Sequence, residues 1–412
     1  MKTNLGIEIL ENKCVLTPVV AIIDSGIDLN HNSLKSYIWH NPNEIPNNSF
    51  DDDHNGYIDD INGWNFANNN NNVQDGYGHG THVAGIVAGY GPVSIMVLKF
   101  QDNKGIGYTG DAINAINYAI MMKKKYGIDI VAINNSWGGS SGYSNLLEDT
   151  IKNANDNNIV FVTSAGNTGS NHDVSPKYPS SYNQPNIISV AALNYDKNDL
   201  AGYSDYGKNT VSIAAPGTSI YSTLPNNTYG YMSGTSMAAP QIAGAIAAIC
   251  NKYGDLNVDQ IKHKIFDCVD KLESLSNKVI TGGSLNIQKS LGNIEYKIVP
   301  PSINIIQKTW QDRIIFKVDT LNLFRIRGWV LDSGNTQDEI LVKIMINNNT
   351  YIIQASKYRK DLYKFENKYH GFDISLNRKY FIRGINTVSI FAENTLTGEK
   401  KLLLSKNIRR II

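Results

Sequence analysis

Cysteine is scarce in this 412-residue chain: Cys14, Cys250 and Cys268 form an odd, widely spaced set. That excludes a disulfide scaffold and offers no metal-ligand spacing, so the three read as packing residues in a reducing compartment. Charge of one sign is lacking too. Lys and Arg number 38 against 37 Asp and Glu, a net charge of +1 without a basic block, and nucleic acid is not expected as a partner. Long hydrophobic runs are also missing. Met1 to Pro18 intersperses Lys2, Glu8, Glu11 and Lys13 with short apolar stretches, which is neither a signal peptide nor a membrane span. A cytoplasmic protein is expected, or a secreted one if an upstream segment was removed. The length exceeds one ordinary core and predicts two or three domains.

What is present is an alternation of short apolar runs with helical patterns. Val19 to Ile23, Ser94 to Phe100, Ile128 to Ile133, Ile159 to Thr163, Ile187 to Leu193 and Val211 to Ala215 read as strands buried on both faces. Helices are expected from near His79, over about 111–125, and through the Ala- and Gly-rich run after Ser236. This predicts an α/β fold with a mainly parallel sheet flanked by helices.

Several polar residues sit where such sheets place their sites. Asp24, in Asp24-Ser25-Gly26, ends the first strand, at the carboxyl edge where open α/β sheets bind ligands; alone it could simply start a turn. Asp332-Ser333-Gly334 repeats the triplet, as an aspartic protease would. Ser236 lies between small residues where a glycine turn enters an apolar helix, a good seat for a nucleophile and an ordinary one for a helix cap. His79 and His82, three apart, could ligate zinc, but no third ligand accompanies them; a histidine at a crowded helix start suits general-base work better. Asn167, after Ala165-Gly166, can aim an amide into a cleft. Asp51, Asp53, Asn55 and Asp59 around Gly56 follow the order of a calcium loop, although position twelve is Asn62 where a bidentate glutamate belongs. A structural calcium site and a metal-free turn both fit.

Together, Ile23-Asp24-Ser25-Gly26, Gly78-His79-Gly80-Thr81-His82, Ser164-Ala165-Gly166-Asn167 and Gly234-Thr235-Ser236-Met237-Ala238-Ala239-Pro240 resemble the subtilisin-like serine peptidases. The chain order Asp, His, Ser marks that type. The resemblance spans about residues 15–292 and places the Asp332 triplet in another domain, against the aspartic-protease reading. It implies a serine endopeptidase that works through an acyl-enzyme on protein or peptide substrates, with no cofactor for catalysis. By resemblance Ser236 is the nucleophile, His79 the general base, Asp24 its orienting partner, Asn167 an oxyanion donor, and His82 structural. The resemblance also makes Gly105-Ile106-Gly107 and Ser136-Trp137-Gly138 the walls that hold extended substrate. Lys177 falls at the base of the pocket for the P1 side chain, where it would favour acidic P1 residues, unless it is simply a solvated loop lysine. The short approach to Asp24 leads to the expectation of a protease without a separable prodomain, as intracellular members are, unless an upstream region was trimmed; the absence of an export signal fits either general turnover or a dedicated processing protease. Gly89 to Val93 is too short for the family's usual calcium loop. A catalytically silent binding protein that keeps the fold is the alternative.

Past about residue 295 the pattern changes. Short alternating strands, from 304–306 to 401–404, are separated by Asn, Gly and Asp turns and predict a C-terminal all-β sandwich. Pro300-Pro301 reads as a linker. The expected domains are 1–295 and 300–412. Arg359-Lys360-Asp361-Leu362 with Gly371-Phe372 resembles small β domains appended to bacterial surface and carbohydrate-active proteins. The oligomeric state is not readable from the sequence.

Overall fold

A computed structural model describes residues 17–139 and 141–293, and beyond them the strands named below. The chain divides into two compact units, Met1–Asn304 and Ile305–Ile412.

The first unit runs β1 (Val19–Asp24), β2 (Gly63–Asn65), α1 (His79–Ala88), β3 (Ser94–Lys99), α2 (Thr109–Tyr126), β4 (Ile130–Asn135), α3 (Asn145–Asp156), β5 (Val160–Ser164), β6 (Ile187–Leu193) and β7 (Ile213–Pro216). A hairpin of β8 (Ile220–Leu224) and β9 (Thr228–Met232) follows, then α4 (Thr235–Tyr253), α5 (Val258–Phe266), β10 (Asp270–Lys271), β11 (Gly283–Ser284) and α6 (Ile287–Ser290). Nine strands form one sheet in the order β10-β11-β7-β6-β5-β4-β1-β3-β2. All its pairings are parallel except β10 with β11. Alternation of side chains sorts the strands into two cores. Val20, Ile22, Ile95, Val97, Val160 and Val162 face α1, α4 and α5. Val19, Ala21, Ile23, Met96, Leu98 and Phe161 face α2 and α3. The six-residue apolar runs are strands because both faces are covered, each fully buried Val or Ile contributing about 1.5–3 kcal/mol.

The order reverses at β1, whose neighbours are β3 on one side and β4 on the other. That is the switch point at which a crevice opens beyond the strands' carboxyl ends. Helix α4 runs through the middle of one layer and is buried on every side from Met237 to Cys250. Its one glycine permits the closest approach: a Cβ on Gly244 would lie 2.7 Å from the Tyr90 ring. Cys250 is free and buried, and burial pushes its thiol up to about 12. Cys268 is free and half-buried; both fit the packing role, and Cys14 lies outside the described residues.

The second unit carries two antiparallel sheets. One contains β12 (Ile314–Leu321), β13 (Arg325–Asp332) and β16 (Gly371–Ser375). The other is ordered β15 (Asn349–Gln354), β14 (Ile340–Ile346), β17 (Gly384–Asn394) and β18 (Lys400–Arg410). Val342, Ile344 and Ile346 are fully buried and, two residues apart, share one face of β14. The expected strand at 304–306, the Pro300-Pro301 linker, Ser333-Gly334 and Arg359 to Leu362 lie outside the described residues.

Candidate active site

Asp24 is the last residue of β1 and His79 the first of α1. The imidazole Nδ1 donates to both carboxylate oxygens, at 2.8 and 3.0 Å. A carboxylate only accepts, so the proton sits on Nδ1 and Nε2 keeps its lone pair. Burial disfavours the imidazolium, but the charge and hydrogen bond of Asp24, with Asp75 further off, outweigh it and raise the His79 pKa above its ordinary value. The close approach of helix to strand requires glycine at position 80, where a Cβ would lie 2.2 Å from the Gly26 carbonyl oxygen. Asp75 fixes the entry to α1: it accepts from the backbone of Tyr77, Gly78 and Thr81 and from the hydroxyls of Ser25 and Thr81. Buried Lys99 donates to the Ser25 carbonyl behind Asp24. Neither Asp75 nor Lys99 is marked as functional by the sequence, because a lone Asp or Lys beside a strand carries no local pattern.

His82 is fully buried; its Nε2–H donates to the carbonyls of Ile220 and Gly230, at 3.0 and 3.2 Å, and ties α1 to the β8–β9 hairpin. Burial drives its pKa down to about 4, in keeping with a structural role.

Ser236 is the second residue of α4, where backbone N–H groups have no partner within the helix. Pro240 lies four residues on and has no N–H, which leaves the Ser236 carbonyl without its helical donor. The Ser136 hydroxyl replaces that donor at 2.9 Å. In return the Ser236 hydroxyl donates to the Ser136 carbonyl at 3.0 Å, and among the described residues no hydrogen bond joins Ser236 to His79. Asn167 sits at the same turn: its Oδ1 accepts from the Thr235 backbone and hydroxyl, at 2.9 and 3.0 Å. Engaging the oxygen in this way turns the amide NH₂ outward on an exposed side chain.

Ser136-Trp137-Gly138 and Gly105-Ile106-Gly107 flank one cleft of about 250 Å³, lined among others by Gln101, Gly105, Gly107, Trp137, Gly138 and Tyr178. Ile106, between the two lining glycines, is 52% exposed. Gly107 bridges Gln101, and a Cβ there would lie 2.5 Å from the Phe100 ring. Lys177 is half-buried just before the cis Tyr178-Pro179 bond; its backbone N–H donates to the Ser181 hydroxyl. A larger concavity, about 730 Å³, lies at the strands' amino ends between Pro18, Asp129 and Tyr253 and contains none of these residues.

The 51–60 loop only partly matches the calcium reading. Gly56 takes φ +95° as a sharp turn requires, and Glu44, Asp51 and Asp53 bring carboxylate oxygens within 4.8 Å of one another. Asp59 does not join them; it accepts from the backbone of Asn48 and Ser49. Asn55 turns its amide toward Asp53 and Asp60, at 3.2 and 2.8 Å. Glu44 comes from outside the motif, so no spacing rule could have found it. Among the described residues no lysine or arginine forms an ion pair with the three carboxylates, and such hard oxygen donors fit calcium.

The sheet order, the central α4 and the site at the switch point define an α/β serine-peptidase fold. A cold-adapted subtilisin-like serine proteinase of known structure shares it, with a TM-score of 0.51 and 23% identity over 65% of this chain and 89% of that one. Residues 17–283 match the Subtilase family, peptidase class S8, and the chain belongs to that family. Subtilisin DY of Bacillus licheniformis is 33% identical over 67% of this chain and 89% of its own. Subtilisin-like protease 1 of Plasmodium berghei is 35% identical over 69% of this chain and 51% of its own. That of Plasmodium falciparum isolate 3D7 is 33% identical over 74% and 48%. The chain thus spans about half the length of the Plasmodium relatives.

Proposed function

We propose that this chain is a serine endopeptidase using Ser236, His79, Asp24 and Asn167. The observation that carries the reading is the His79 ring, held by both oxygens of Asp24 with its Nε2 lone pair free among the described residues. When substrate binds, the Ser236 hydroxyl turns from the Ser136 carbonyl to Nε2, which takes its proton as Oγ attacks the scissile carbonyl. Asp24 stabilises the imidazolium, and the proton then passes to the leaving amine. The oxyanion is met by the Asn167 amide and the Ser236 backbone N–H at the positive end of α4. Water, activated by the same imidazole, releases the acyl group. Retention of all four groups favours this over a silent binding protein. A fluorophosphonate should label Ser236 and spare Ser236→Ala; no labelling of the folded wild type would return the silent reading.

The substrate lies extended between the two glycine-containing walls, and Glu or Asp is preferred at P1 because the Lys177 ammonium makes no ion pair among the described residues. Matched peptides with Glu, Phe or Lys at P1 test this; a Phe preference that survives Lys177→Gly sinks it. A processing role predicts few cleavages in a whole-proteome digest, and many scattered sites would mean general turnover. Glu44, Asp51 and Asp53 would hold a structural calcium with no part in the chemistry.

A further inference from the structure

Beside the site lies a second arrangement of Asp, His and Ser that the chemistry does not use. Asp205 and His172 are both 0% exposed, so water neither screens nor replaces their contact, His172 Nε2 to Asp205 Oδ2 at 3.1 Å. The other oxygen of Asp205 accepts three bonds from the turn that follows Asn167: Thr168 N at 2.8 Å, Thr168 Oγ1 at 2.9 Å and Ser170 N at 2.9 Å. The Asp205 N–H donates back to the Gly166 carbonyl at 2.9 Å. The carboxylate approaches so closely that a Cβ on Gly166, at φ +125°, would lie 2.3 Å from Oδ2.

On its far side, His172 Nδ1 faces the hydroxyls of Ser180 and Ser181, at 3.2 and 3.3 Å. The Ser180 proton goes to the Lys177 carbonyl at 3.0 Å. Ser181 Oγ accepts from the Lys177 N–H at 3.1 Å, and its own proton is left for Nδ1. Donors and acceptors then match along the whole line: Lys177 N–H to Ser181, Ser181 O–H to His172, His172 Nε2–H to Asp205. This needs a neutral imidazole. Burial, supported by the nearby Lys177 charge, outweighs Asp205 and Asp173 and lowers the His172 pKa.

We propose that Asp205 and His172 are positioning residues that join the Asn167 turn to the Lys177 segment, so that the oxyanion donor and the base of the P1 pocket move as one unit. The inference rests on the peptidase reading of the site. A purely structural pair would affect stability alone. A positioning pair affects turnover and P1 choice together, because either end of the line is displaced when its middle is cut.

The test uses the full chain and three variants: His172→Leu, which leaves Asp205 buried and unpaired, His172→Gln, which keeps a donor toward Asp205 and an acceptor toward Ser181, and Ser181→Ala. Active sites are counted by fluorophosphonate labelling, and kcat and KM are measured per labelled site on peptides with Glu or Phe at P1. His172→Leu should lower kcat at least tenfold and change the Glu-to-Phe ratio of kcat/KM at least fivefold. His172→Gln should recover both to within about twofold, and Ser181→Ala should change the ratio. The proposal is overturned if His172→Leu keeps wild-type kcat and ratio per labelled site with only a lower melting temperature. Should His172→Leu not fold, an unchanged ratio in Ser181→Ala overturns it equally. A folded wild type that neither labels nor cleaves overturns the peptidase reading and, with it, this one.

Discussion

Ser136 and Ser236 satisfy each other twice: each hydroxyl donates to the other residue's carbonyl, at 2.9 and 3.0 Å. One of the two bonds replaces what Pro240 removes from α4, so a wall of the cleft and the start of the central helix are joined by a defect in that helix. Ser136→Ala should leave the Ser236 carbonyl unpaired and cost about 1 kcal/mol, or about 2 °C in melting temperature for a unit this size. Pro240→Ala, which restores an N–H, should recover part of that loss in the Ser136→Ala background but gain less in wild type. Urea melts of the four proteins measure the coupling, and additive effects would show that the two residues act independently.

Asn167→Ala removes the outward amide and spares the fold around Asp205. Turnover should fall about 10²–10³-fold with KM little changed, the magnitude being that of oxyanion-donor removal in a subtilisin. An equal loss in KM would instead assign the amide to ground-state binding.

Gly80→Ala puts a methyl group 2.2 Å from the Gly26 carbonyl oxygen and 3.2 Å from Asp24. Overpacking of this kind costs about 1–3 kcal/mol, and the helix that carries His79 must retreat from Asp24. Labelling by fluorophosphonate should drop more steeply than stability; a stable variant that labels at the wild-type rate would contradict the close approach.

His82 gives the fold an acid limit. Its folded pKa of about 4 lies below an unfolded value of about 6.5, so the folded state binds fewer protons in between. The stability tied to neutral His82 is complete above pH 6.5 and is lost as pH falls toward 4, about 3 kcal/mol in all. His79 has the opposite sign: its raised pKa adds stability below the ordinary histidine value, lost as pH rises through the folded one. The difference in urea midpoint between wild type and His82→Gln should shrink steadily from pH 7 to 4.5. A constant difference would remove His82 as the cause.

Calcium should raise the melting temperature and a chelator lower it, with kcat of the folded enzyme unchanged. Asp53→Asn should blunt that response, whereas Asp59→Asn, which perturbs only a backbone turn, should not. Equal responses in both variants would move the site elsewhere.

The long buried strands were legible because β1, β3, β5 and β6 are continuous apolar runs covered on both faces, a pattern no half-exposed strand shows. The start of α1 at His79 was legible from its small residues. The β8–β9 hairpin was not, since its mixed Tyr, Ser, Thr and Gly residues carry no apolar pattern and only Ser222 and Thr223 among them are buried. Helix α3 was no more legible; its buried face is Leu147, Thr150, Ile151 and Ala154, too few apolar residues to stand out in a polar stretch. In the acidic loop, local order pointed to Asp59, while packing turned Asp59 to the backbone and brought in Glu44.

By itself the sequence determined the order of the strands along the chain and the family, and it singled out the residues proposed to carry the chemistry, because these reside in local patterns and short motifs. Only the tertiary structure decided which distant groups complete them: Ser136 for the carbonyl that Pro240 strands, Asp75 and Lys99 behind Asp24, and His172 with Asp205 beneath Asn167 and Lys177. The physical reason is that a buried donor or acceptor must be satisfied by whatever folding brings within about 3 Å, and sequence separation places no limit on where that partner comes from.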